Sequence, residues 1–148
     1  MGQQAVLPLA HQPPDQDVQR EAANELDRIE RQLECFLSQP GHVAAVYSDM
    51  LVVDAEGRAR GRSFLTRMLN GAAPPQGDLF SRILAGNFLP APAVMVRRSA
   101  IAAVGGYEES LIYEDLDMWL RLSFRFGFVY LPGLLVRYRM HASSMSNS

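Results

Sequence analysis

Tyr113-Glu-Asp-Leu-Asp-Met-Trp-Leu-Arg121 sets three carboxylates, a tryptophan, an arginine and several aliphatics side by side. Read as a helix, Leu116, Leu120 and Phe124 fall at i, i+4 and i+8, which predicts a core-facing stripe. Asp115, Trp119 and Leu122 share a neighbouring face, and Asp117 with Arg121 makes an i, i+4 pair. Glu114 and Asp115 open the helix, shortly after Gly105-Gly106-Tyr107. A carboxylate there can project into a cleft while the helix behind it stays anchored. Acids in a first helical turn are also favoured by the helix dipole, by ~0.3–1 kcal/mol each. The stretch alone therefore admits two readings, helix-capping acids and a catalytic pair.

The whole chain narrows the field. Its 148 residues suffice for one modest domain, and 48% hydrophobic with 20% charged residues is ordinary for a globular protein. A net charge of -2 and no basic stripe give no reason to expect a nucleic-acid partner. Cys35 is the sole cysteine, so the chain holds neither a disulfide framework nor a cysteine-rich zinc site. Lying off the centre of its helix stripe, Cys35 reads as a small filler rather than a nucleophile. No apolar run approaches the ~20 residues of a membrane helix, and Met1–Ala10 lacks the basic start of a signal peptide. The expectation is a cytoplasmic protein, or one at the cytoplasmic face of a membrane.

Residues 1–24 read as a poorly ordered lead-in, rich in Gln, Pro and Asp. A helix is predicted from a cap at Asn24 to Ser38, with Leu26, Ile29, Leu33, Phe36 and Leu37 as its apolar face and Pro40-Gly41 as its stop. Val43 to Val53 predicts two buried strands with a bend near Asp49, followed by a turn at Asp54-Ala-Glu-Gly57. Asp49 stands as either a ligand-binding carboxylate or a turn-former. Ser63 and Asp78 are read as caps of two short helices, closed by Asn70-Gly71 and by Gly86. Asn87 to Val96 begins as loop and finishes as strand, since Pro90 and Pro92 keep its start off a central ladder position. Ser99 opens a small-residue helix. After Gly127, Phe128–Pro132 and Leu134–Arg139 read as two strands, and residues 143–148 as a polar tail. Interleaved helices and strands predict an α/β layering around a mixed sheet.

The order of these pieces resembles the C-terminal half of family 2 glycosyltransferases, the inverting sugar-nucleotide enzymes with a GT-A fold. The resemblance rests on Asp27-Arg-Ile-Glu-Arg-Gln-Leu-Glu34, Val46-Tyr-Ser-Asp49, Asp54-Ala-Glu-Gly57, Gly86-Asn-Phe88 and Val96-Arg-Arg-Ser-Ala-Ile101. It continues through Val104-Gly-Gly-Tyr-Glu108, Glu114-Asp-Leu-Asp-Met-Trp-Leu-Arg121 and Val136-Arg-Tyr-Arg-Met-His141, spanning about residues 26 to 146. It implies a mixed sheet flanked by helices, an incomplete version of the nucleotide-diphospho-sugar transferase fold, over residues 25–142. It implies Asp115 as the base that takes the proton of an acceptor hydroxyl, with Glu114 beside it. Asp49, Asn87, Trp119, Arg121 and His141 fall at substrate-binding positions, and His141 also near the donor diphosphate or its metal. The implied partners are a nucleotide-sugar donor, a sugar or lipid-linked acceptor, and a divalent cation, Mg²⁺ or Mn²⁺.

The matching region begins in the helix that, in the family, follows an Asp-x-Asp donor motif. Asp15-Gln-Asp17 has those letters but follows no strand-like run, and Asp115-Leu-Asp117 occupies the place of the base motif. The expectation is an acceptor-side portion without its donor-side half. It should expose a sheet edge and an apolar face, and so self-associate or pair with the missing half. The alternatives are a non-catalytic acceptor-binding or interaction module of the same fold, and an unrelated α/β domain whose carboxylates are structural.

Overall fold

Nearly every position of Val43–Val53 is apolar, and the whole segment is buried, as expected of a strand covered on both faces. In the computed structural model, which describes residues 25–140, this segment is β1, the middle strand of a three-stranded mixed sheet. The order is β2–β1–β3, with β2 (Val94–Val96) antiparallel and β3 (Gly127–Arg139) parallel to β1. The helices are α1 (Glu25–Leu37), α2 (Phe64–Met68), α3 (Phe80–Ala85), α4 (Arg98–Ala103) and α5 (Glu114–Arg125). Among the described residues no helix is long and apolar enough to cross a membrane.

The side chains of β1 enter two core layers, an irregularity between Val43 and Ala45 interrupting the strict alternation of a strand. Val43 and Val46 meet Phe36 of α1, with Met95, Val129 and Leu131 alongside. Ala45 and Tyr47 face the other way, into a larger cluster with Leu65, Ile83, Phe88, Trp119 and Phe128. The sheet is therefore sandwiched between α1 and the other helices.

Several boundaries differ from the sequence reading. The two strands expected around Asp49 are one continuous strand, and so are the two expected around Pro132-Gly133. The pairing runs Tyr47↔Tyr130 and then Asp49↔Leu134, so Leu131-Pro132-Gly133 bulge opposite Ser48. A bulge removes the need for Pro132 to donate to the ladder, and Gly133 takes a φ of 129° there. Sequence alone reads such a bulge as an interruption.

Two helices are rotated relative to the stripes assigned to them. On α1, Phe36 is buried, but Ile29, Leu33 and Leu37 are 59, 49 and 79% exposed, and fully buried Gln32 takes the inward place. Its amide nitrogen donates to the carbonyls of Ala93 (2.9 Å) and Val46 (3.4 Å), which satisfies polar groups that an aliphatic could not. On α5, Met118, Trp119, Leu122 and Ser123 are buried, Leu116 and Leu120 are half-buried, and Phe124 is 72% exposed. The neighbouring face, with Trp119 and Leu122, is the inward one. A periodicity marks a face but leaves open which neighbour covers it.

The caps shift by a residue or so. Ser63 does cap α2, its hydroxyl accepting from the Thr66 amide, and Asn70 and Gly71 end it with φ of 51° and 80°. Leu79, not Asp78, is the cap residue of α3, although the Asp78 carboxylate accepts from the Phe80 amide at 3.0 Å. Arg97 rather than Ser99 precedes α4. The expected cap at Asn24 lies outside the described residues.

Candidate functional site

The first turn of α5 collects Glu114, Asp115 and Asp117, and the structure gives each a different situation. Asp117 is engaged. Its Oδ2 accepts from Arg121 Nε at 2.9 Å and Nη2 at 2.5 Å, while Arg121 Nη1 donates to the Val104 carbonyl. With both side chains about a third exposed, the pair contributes only ~0.3–0.5 kcal/mol. Its consequence is geometric, fastening the head of α5 to the end of α4. Glu114 is exposed and has no ion-pair partner among the described residues. Asp115 is half-buried, its Oδ1 accepts from the Leu116 amide at 2.7 Å, and it too has no ion pair among the described residues. Of the three, Asp115 combines partial burial with an uncommitted second oxygen. Behind it the helix is locked by Met118, Trp119 and Leu122 in the main core.

Trp119 is 3% exposed and its indole N–H meets no acceptor among the described residues. It packs in the core cluster that holds the helix. Arg121 acts through Asp117 and Val104, again on the placement of α5.

Asp49 is 7% exposed and bonded. Its Oδ1 accepts from the amides of Met50 at 2.8 Å and Leu65 at 2.9 Å, which pins the start of α2 to β1. It does not form a turn. Nearby, Tyr47 is fully buried and its hydroxyl donates to the Pro75 carbonyl. Burial, with a smaller contribution from Tyr130, pushes the Tyr47 phenol far above its ordinary value. Tyr130 is also raised, by burial first and then by the charge of Asp49.

Asn87 is half-buried, and its carbonyl oxygen accepts from the Leu89 amide at 3.1 Å. It lines an open depression of about 440 Å³ with Leu69, Ser81, Arg82 and Phe88. No hydrogen bond or ion pair joins Asp115 or Glu114 to Asp49 or Asn87 among the described residues. His141 lies outside the described residues, as does Asp15-Gln-Asp17.

Among the described residues no group of three or more His, Cys, Asp or Glu is placed to hold a metal ion. Cys35 is a free thiol whose pKa burial pushes up, which lowers its reactivity at neutral pH.

Sequence reasoning overlooked the loop leading into α5. Tyr107, Leu111, Ile112 and Tyr113 are 48, 44, 88 and 73% exposed, directly before Glu114. The loop is shaped by Glu108, whose carboxylate accepts from the Ser110 hydroxyl at 2.6 Å and amide at 3.3 Å, and whose carbonyl accepts from the Leu111 amide at 3.2 Å. Those bonds to Ser110 hold the Glu108 carboxyl below its ordinary pKa. The signal available in sequence was a run of apolar residues, Leu111-Ile112-Tyr113, between acids.

No protein-family model matches the chain, and no curated protein matches it either.

Proposed function

We propose that this chain is the acceptor-side portion of an inverting, GT-A-type glycosyltransferase, with Asp115 as the base. The observation that carries the reading is the unequal treatment of three neighbouring acids. Arg121 pairs with Asp117, Glu114 is exposed, and Asp115 sits half-buried on a braced helix without a cationic partner among the described residues. A carboxylate so placed can accept the proton of an acceptor hydroxyl as that oxygen attacks the anomeric carbon of a nucleotide sugar. One base suffices for an inverting transfer, whereas a glycosidase needs two cooperating carboxylates. The ordered motifs from Asp27 to His141 support the same family. In this reading Asn87 and the depression beside it belong to the substrate side. Asp49, Trp119 and Arg121 hold the elements that shape it.

A second reading for the chain by itself is an acceptor-binding or interaction module of the same fold, without turnover. The test is transfer or hydrolysis with a panel of UDP-, GDP- and dTDP-sugars in Mg²⁺ or Mn²⁺. In the enzyme, Asp115→Asn lowers turnover by ~10²–10⁴-fold while leaving the fold intact. Turnover untouched by Asp115→Asn removes the base assignment, and failure to bind any sugar nucleotide selects the module.

A further inference from the structure

We infer that the depression between α2 and α3 binds a small carboxylate-bearing ligand of sugar size, held by Arg82 with Ser81 and Asn87. Its wall brings together Met68 and Leu69 at the end of α2, Ser81, Arg82 and Ala85 of α3, and Asn87 of the loop that follows. At about 440 Å³ it falls in the size range of small-molecule sites. Its polar side chains can all donate hydrogen bonds, and none of them is acidic. Asn87 uses its carbonyl oxygen on the Leu89 amide, so its amino group is the part left for a ligand. Arg82 makes neither a hydrogen bond nor an ion pair among the described residues, unlike Arg121, Arg125 and Arg137, each of which donates to a backbone carbonyl.

The guanidinium stays within reach of the core. Phe88, which shares the depression with Arg82, packs edge-on against buried Tyr47. Burial raises the Tyr47 phenol pKa, Tyr130 adds to the rise, and the charge of Arg82 works against both, as only a nearby cation does. The charge count then selects the ligand. One guanidinium beside a neutral amide and a hydroxyl matches the single charge and planar fork of a carboxylate. A phosphate monoester carries about −1.5 to −2 near neutral pH, and no second cationic side chain lines the depression among the described residues. Met68, Leu69 and Ala85 offer an apolar side to the C–H face of a ring, and Ser81 and Asn87 can serve its hydroxyls. A hexuronic acid combines these features. No hydrogen bond or ion pair links this wall to Asp115 among the described residues, so such binding is independent of the base assigned above.

The test is direct binding to the full chain at neutral pH, without donor or metal, by calorimetry. The probes are methyl β-D-glucuronide and methyl β-D-glucoside, which differ only in carrying a carboxylate or a hydroxymethyl group. The glucuronide should bind at least about tenfold more tightly, the worth of one charge-assisted hydrogen bond. Arg82→Gln should abolish that preference, and Arg82→Lys, which keeps the charge but loses the fork, should remove most of it. Arg98→Gln, at an exposed arginine on α4, should leave it intact. Both arginines are exposed, so the fold tolerates these changes, and circular dichroism verifies it. Equal binding of the two glycosides, or a preference that survives Arg82→Gln, overturns the inference. A preference lost equally in Arg98→Gln does the same, because general surface charge then accounts for it. So does tighter binding of glucose 6-phosphate than of the glucuronide, which gives the depression to a phosphate. A glucuronide preference without any sugar-nucleotide turnover sinks the catalytic reading alone. Turnover that depends on Asp115, without the preference, sinks this one alone.

Discussion

Asp115 and Asp49 are both half of a familiar ambiguity, a carboxylate near the end of an element, and their surroundings separate them. One oxygen of Asp49 receives two backbone amides that are otherwise buried at the β1–α2 junction. Removing it leaves those donors unmet, at about 1–3 kcal/mol for each fully buried group. Asp49→Ala should therefore destabilise the fold by roughly 2–4 kcal/mol, and Asp49→Asn, which keeps an acceptor, by clearly less. Urea unfolding followed by tryptophan fluorescence measures both, and a stable alanine variant would contradict the structural role. Asp115 has one local amide and no ion pair among the described residues, so its substitution should be felt in function rather than stability. The sequence supplied the acids and their spacing, which is why the Asp117–Arg121 pair was legible. It did not reveal that Asp49 is already occupied, because its partner Leu65 is sixteen residues away and meets it only in the folded chain.

Among elements, α1 departs furthest from expectation. An aliphatic row at Ile29, Leu33 and Leu37 faces outward beside β2, and Leu33 and Leu37 share an open groove with Met95 and Val96. β2 pairs with β1 on one side, whereas β3 is additionally covered on its outer side by Gly77, which exchanges backbone hydrogen bonds of 2.7 and 2.9 Å with Phe128. The less protected edge and the exposed aliphatic row thus lie on the same flank, and apolar surface of this kind drives association. Sedimentation velocity should show concentration-dependent self-association that Leu33→Glu, Leu37→Glu reduces. Because those side chains are half to mostly exposed, the same change should alter monomer stability little, within about 0.5 kcal/mol per site. A well-behaved monomer at all concentrations would remove the surface from consideration. Periodicity found the helix and its apolar row. It did not show that Gln32, by donating to Val46 and Ala93, would turn that row sideways.

At the scale of the whole molecule, the described residues form one sheet between two helical layers, and the pH response should follow from the tyrosines at its centre. Tyr47 touches Phe88 and Tyr130 and donates to Pro75, so β1, β3 and two loops converge on it. Its folded pKa is raised above the ordinary value of 10.0, and that of Tyr130 is raised too. A group that holds its proton more tightly when folded stabilises the fold below its unfolded pKa and loses that contribution as pH rises beyond it. Thermal stability should be flat in this respect below about pH 9 and fall above about pH 10, with Tyr47→Phe flattening the decline. A decline unchanged in that variant would assign it to other groups. At this scale the sequence by itself determined the alternation of helices and strands, the buried character of Val43–Val53, and the acids grouped at the head of α5, because propensity, periodicity and charge spacing are local properties. Only the tertiary structure decided that interrupted strands are continuous across a bulge, which faces of α1 and α5 turn inward, and that Asp49 is already occupied by two backbone amides. Each of those depends on partners distant in sequence, whose hydrogen bonds and packing outweigh the local pattern.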